Sequence, residues 1–161
     1  MYIRILNHFD ADTWNRSRVF VIMGHGDKYM SEAGGATVLV VDDDKNVCAL
    51  ISAVLAGQGY RTVVAGNGKE ALAYLRSSPL RPGLILLDLM MPEMNGWEFR
   101  RIQQGDSALA GIPVAIITGL PEMEGKASSI GAVDVLYKPS RVETLTSLVS
   151  RFCGKAHAGG K

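Results

Sequence analysis

The stretch Leu84 to Gly96, LILLDLMMPEMNG, constrains the fold more than any other part of the chain. Four apolar residues, Leu84 to Leu87, run into one carboxylate, Asp88, without the alternation of a half-exposed strand. Such a run fits a strand covered on both faces, as in a parallel sheet. A charge inside that strand is costly, and the Met91-Pro92 and Asn95-Gly96 pairs that follow are breaker and turn signals. Asp88 is therefore expected at the carboxyl end of a central strand, the edge at which open α/β sheets place their ligand sites.

From Thr37 onward the pattern alternates. Thr37 to Val41 reads as a strand ending in Asp42, Asp43 and Asp44. Val47, Leu50, Ile51, Val54 and Leu55 follow at helical spacing, stopped by Gly57 and Gly59. Tyr60 to Ala65 is a second strand, and a helix carrying Ala71, Leu72 and Leu75 ends before Pro79 and Pro82. After the Asp88 strand, Asn95-Gly96 opens a helix with Trp97 or Phe99 and Ile102 inward. Pro113 to Thr118 and Val133 to Tyr137 are the last strands. Ser140 is the expected cap of a final helix that turns Val142, Leu145, Leu148, Val149 and Phe152 inward. Pro121 to Ile130 leaves room for at most a short helix. Five strands separated by helices predict an α/β fold: one five-stranded, doubly wound parallel sheet with helices on both faces.

Residues 1 to 36 lack a helical period long enough to pack and end in the linker-like Ser31 to Ala36; they are expected to be an unpacked extension or the product of an early start site, with a partner-binding or dimerising arm as the alternative. The domain is expected over residues 37 to 153, with 154 to 161 as a tail. With 17 Lys and Arg against 16 Asp and Glu, no basic excess points to direct nucleic-acid binding. Cys48 and Cys153 lack a second Cys or a His at metal spacing. No apolar run approaches the roughly 18 residues of a membrane span, so a soluble cytoplasmic protein without membrane contact is expected.

The polar residues at the strand ends are Asp42 and Asp43 after the first, Asp88 after the third, Thr118 after the fourth and Lys138 after the fifth. A parallel sheet gathers these on one rim. Three crowded carboxylates raise one another's pKa unless a cation sits among them. An all-oxygen set with no nearby His or Cys favours Mg²⁺. Lys138 adds a second positive charge and Thr118 a hydroxyl donor, which together suit a phosphoryl group carried on Asp88. Asp44 reads best as the N-cap of the first helix.

In VLVVDDD, LLDLMMPEMNGWE, AIITG and LYKP, taken in order and at this spacing, the chain closely resembles the receiver domain of bacterial two-component response regulators, a flavodoxin-like fold. The resemblance implies that Asp88 accepts a phosphoryl group from a histidine kinase or phosphotransfer protein. It also implies that Asp42, Asp43, Asp88 and the Met90 carbonyl hold Mg²⁺, that Thr118 and Lys138 bind the phosphoryl oxygens, and that Lys138-Pro139 is cis. Because the sequence ends at HAGGK, a single-domain regulator is expected: a signalling module, not an enzyme, whose output is a downstream protein partner. Three features depart from the family pattern: Val135 stands where an aromatic switch residue is usual, the span from Thr118 to Gly131 is short, and Gly119 replaces the usual alanine. Val135 and the short span support a second reading, a constitutive binding module that does not switch, against which stands the complete set of acids, Thr118 and Lys138. A third, an Asp-nucleophile phosphatase of the dehalogenase type, requires a second Asp where this chain has Met90.

Overall fold

A computed structural model of the 161-residue chain describes residues 36–119 and 129–155. Residues 1–35 of the expected N-terminal extension, most of Pro121 to Ile130 and the end of the tail lie outside the described residues. The described elements are β1 (Thr37–Val41), α1 (Lys45–Gly57), β2 (Arg61–Ala65), α2 (Gly68–Ser77), β3 (Leu84–Asp88), α3 (Gly96–Gly105), β4 (Val114–Thr118), β5 (Asp134–Tyr137) and α4 (Val142–Cys153). The strands form one parallel sheet in the order β2-β1-β3-β4-β5, the doubly wound architecture expected from the sequence.

Successive strand residues point to opposite faces, and both faces are covered. Leu39, Val41, Ile85, Leu87, Val114 and Ile116 pack with Ala71, Leu72 and Leu75 of α2 and Phe99 of α3. Val38, Val40, Leu84, Leu86, Ala115 and Ile117 meet Ile51 and Leu55 of α1 and Leu145, Leu148 and Val149 of α4. This explains why β3 shows no polar alternation: all five of its residues are buried. Each fully buried aliphatic side chain contributes on the order of 1.5–3 kcal/mol from removal of its surface from water.

Three sequence expectations are corrected. Leu50 is 66% exposed, because α1 buries the stripe of Cys48, Ile51, Ser52 and Leu55 and turns Leu50 away from it. Val142 is also largely exposed, since it opens α4 before the first inward residue, Leu145. Ser140 is not the cap of α4; the cap position is Arg141, which makes no side-chain capping bond. Asp44 does cap α1, accepting from the backbone N–H groups of Asn46 and Val47 at 2.8 and 3.3 Å. Of the candidates on α3, Phe99 is fully buried while Trp97 and Ile102 are partly so.

Two polar residues of α3 are buried as well. The Arg100 guanidinium donates to the Ile130 and Gly131 carbonyls, both at 2.9 Å, and to the side chain of Gln103. Gln103 in turn donates to the Leu109 and Ile112 carbonyls. Burial lowers the pKa of Arg100, a cost that these hydrogen bonds offset.

Candidate functional site

The site follows from register. Val41 pairs with Leu87, so the next residues, Asp42 and Asp88, leave their strands side by side. Asp88 pairs with Ile117, which puts Thr118 one residue further along the same rim. Thr118 pairs with Tyr137, so Lys138 is the first residue past β5; its N–H donates to the Thr118 carbonyl at 2.7 Å. The Lys138-Pro139 peptide is cis, as the resemblance implied.

Carboxylate oxygens of Asp42, Asp43 and Asp88 lie within 4.8 Å of one another. Asp42 and Asp88 are buried and Asp43 is exposed, so the group opens to solvent on one side. Backbone and cation divide the Asp42 carboxylate between them. Its Oδ1 accepts from the Asp44 N–H at 2.9 Å, while its Oδ2 lies 2.5 Å from Lys138 Nζ. The same ammonium lies 3.5 Å from Asp88 Oδ1. Lys138 therefore bridges two of the three acids across the central strands.

Burial is the main reason that the Asp88 carboxyl titrates above its ordinary value; Lys138 works against that rise and the Asp42 charge adds to it. Burial alone would lower the pKa of Lys138, but its hydrogen bonds and charge pairing with Asp42 and Asp88 win, and its pKa is raised. Lys138 is thus a fixed cation at neutral pH. The Cys48 thiol donates to the Asp42 carbonyl at 3.3 Å, and burial, reinforced by Asp42, pushes its pKa up to about 12. It stays protonated and is no nucleophile. Sequence spacing gave no sign of this contact.

The loop after Asp88 turns sharply. The Gly96 N–H donates to the Leu89 carbonyl at 3.0 Å, and a Cβ on Gly96 would stand 2.3 Å from the Asp88 carbonyl oxygen. Only glycine fits this approach. Met90 lies within the loop and is 61% exposed. Thr118 is buried at the rim. Val135, in the position where an aromatic is usual, packs half-buried against the α2–α3 side of the core, and Tyr137 is exposed at the strand edge. The site residues named from sequence are therefore gathered on one rim, Asp42, Asp43, Asp88 and Lys138 by proximity and Thr118 and Met90 by register and chain order.

The donor set suits a hard divalent cation. All three groups offer oxygen, with two carboxylates held in place by burial and backbone and the third free to adjust. Among the described residues, no helix is long and apolar enough to cross a membrane.

Comparison with known proteins agrees with this geometry. The family model of the response regulator receiver domain matches residues 38–150. The DNA-binding response regulator MtrA of Mycobacterium tuberculosis is 38% identical over 114 residues, which cover 70% of this chain and 48% of MtrA. A probable cyclic di-GMP phosphodiesterase of Vibrio cholerae is 38% identical over 122 residues, 74% of this chain and 27% of that protein. The chain thus spans about half, or less, of the length of these curated relatives. Among solved structures, the chemotaxis response regulator CheY4 of Vibrio cholerae superposes with a TM-score of 0.66 at 32% identity, covering 73% of this chain and 98% of that one. A putative response regulator of Chloroflexus aurantiacus gives 0.69 at 26% identity, over 74% and 98%. Fold, acidic rim and family match converge, and the chain belongs to the response regulator receiver domains.

Proposed function

We propose that this receiver takes a phosphoryl group onto Asp88 from the phosphohistidine of a histidine kinase or phosphotransfer protein, and that it signals through a downstream protein partner. The observation that carries the reading is the shared rim on which Lys138 bridges Asp42 and Asp88 beside Asp43. An Asp88 oxygen attacks phosphorus, the P–N bond to the donor imidazole breaks, and the donor nitrogen takes up a proton as the acyl phosphate forms. Lys138 is positioned to leave Asp42 and pair with phosphoryl oxygen, and Thr118 supplies a hydroxyl donor from the next strand. Mg²⁺, held by Asp42, Asp43, Asp88 and the Met90 carbonyl, would supply the charge neutralisation that lets an anionic phosphoryl group approach a carboxylate. Such a module accepts and loses phosphate without turning over a substrate of its own. The complete set of acids, hydroxyl and lysine favours a switching module over a constitutive binder, even though Val135 replaces the usual aromatic.

The test is incubation with acetyl phosphate, read on phosphate-affinity gels with Mg²⁺ or with excess chelator. A shifted band that requires Mg²⁺ is expected. The same band in chelator, or none in either condition, would overturn the reading.

A further inference from the structure

The loop carrying Met90 is fastened at two places. Its base is closed by the Gly96-to-Leu89 hydrogen bond. Near its far end, the Gly68 N–H, in the first turn of α2, donates to the Met94 carbonyl at 3.0 Å. At this second point there is no spare room: a Cβ on Gly68 would stand 2.6 Å from Met94 Cγ, 2.8 Å from Met94 Sδ and 2.9 Å from Phe99 Cβ. Gly68 is not among the glycines with positive φ, so space and not backbone conformation requires it.

Which partner yields to a larger residue follows from how each is held. The start of α2 is pinned by Asn67, which accepts from the Glu70 N–H at 3.0 Å, and by Glu70, which accepts from the Gly66 N–H at 2.8 Å. Ala71, Leu72 and Leu75 anchor the same helix in the core, and Phe99 is fully buried. Met94 belongs to a loop that contains Glu93 at φ 63° and the exposed Met90, although Leu89, Met91 and Met94 itself pack into the core. The Lys69–Glu93 pair beside it, at 3.6 Å between exposed side chains, adds little restraint. Met94, whose unbranched side chain supplies the two nearest atoms, is the partner that yields first.

We propose that Gly68 is a positioning residue for the acidic site: its contact with Met94 sets the path of the Leu89–Asn95 loop and thereby the site's affinity for a divalent cation. The inference rests on the proposed phosphoacceptor reading, in which the Met90 carbonyl is a ligand. It ties α2, a helix that contributes none of the site residues, to the strength of cation binding.

The experiment is calorimetric titration of the full chain with MgCl₂, with thermal melts in the absence of metal, for wild type, Gly68→Ala and the double variant Gly68→Ala/Met94→Ala. Gly68→Ala is expected to weaken Mg²⁺ binding about tenfold, or about 1.4 kcal/mol, while the extent of labelling by acetyl phosphate at saturating Mg²⁺ stays at the wild-type level. Ala favours helix over Gly, so a loss of affinity runs against the change in helix propensity. The double variant removes Met94 Cγ and Sδ but leaves Phe99 Cβ 2.9 Å away, so it is expected to recover part of the lost affinity and to bind Mg²⁺ more tightly than Gly68→Ala. Gly68→Ala that folds and binds Mg²⁺ like wild type would overturn the proposal, as would a double variant no better than the single one. If Gly68→Ala does not fold, recovery of both fold and Mg²⁺ binding in the double variant supports the proposal, and its failure to recover either overturns it. A wild type that binds no Mg²⁺ would instead refute the phosphoacceptor reading on which the inference rests.

Discussion

The two halves of the sheet are built differently. On the side of β2, β1 and β3, each of the three helices begins at a side chain that accepts from its own first turn: Asp44 for α1, Asn67 for α2 and Asn95 for α3. In the other half, β5 is a short, partly exposed edge strand, and α4, which follows it and packs back across β1 and β3, begins at Arg141 without such a bond. This half is instead tied by contacts distant in sequence. Lys138 reaches Asp42 and Asp88, and Arg100 reaches the Ile130 and Gly131 carbonyls. The acidic half of the site is shaped by local sequence, whereas its cationic half is placed by the tertiary fold.

The largest stability effect should come from cutting a long-range tie. Arg100→Met leaves two backbone carbonyls and Gln103 without their buried donor and is expected to cost about 2–3 kcal/mol in denaturant unfolding. A loss under about half a kcal/mol would show that the second half is not held in this way.

Asp88→Asn should act in the opposite direction. Because burial raises the Asp88 pKa, the native state holds that proton more tightly than the unfolded chain, so stability falls as pH rises through the carboxylate range. Without metal, the Asn variant is expected to melt a few degrees higher than wild type at pH 7, and the gain should vanish below about pH 4, where the carboxyl is protonated in both states. A lower melt at pH 7 would mean that Lys138 outweighs burial.

The smallest effects separate the caps. Asp44→Ala is expected to cost about 1 kcal/mol, and Ser140→Ala nothing measurable. Equal losses would erase the distinction between the halves.

The same division sets how much could be read from the chain. Asp88 was legible because an unbroken apolar run met a turn signal, and Asp42 because a β-branched strand met three acids. Asp44 was legible because a cap lies next to the helix that it starts. Leu50 and Val142 matched a helical stripe, yet periodicity does not say which edge of the stripe lies beyond the sheet; both are exposed. Arg100 gave no sign of its burial, since the carbonyls that satisfy it lie 30 and 31 residues away. Gly68 read only as part of the Gly66-Asn67-Gly68 turn into α2, because its close contact depends on where Met94 stands. The strand ends were thus legible, and the ties across the sheet were not.

The central claim is that Asp88 is the residue that carries the phosphoryl group. Intact-mass measurement after incubation with acetyl phosphate and Mg²⁺, on wild type and Asp88→Asn side by side, tests it most directly. The wild-type chain is expected to gain the mass of one phosphoryl group and Asp88→Asn none. Equal gain in both would contradict the assignment.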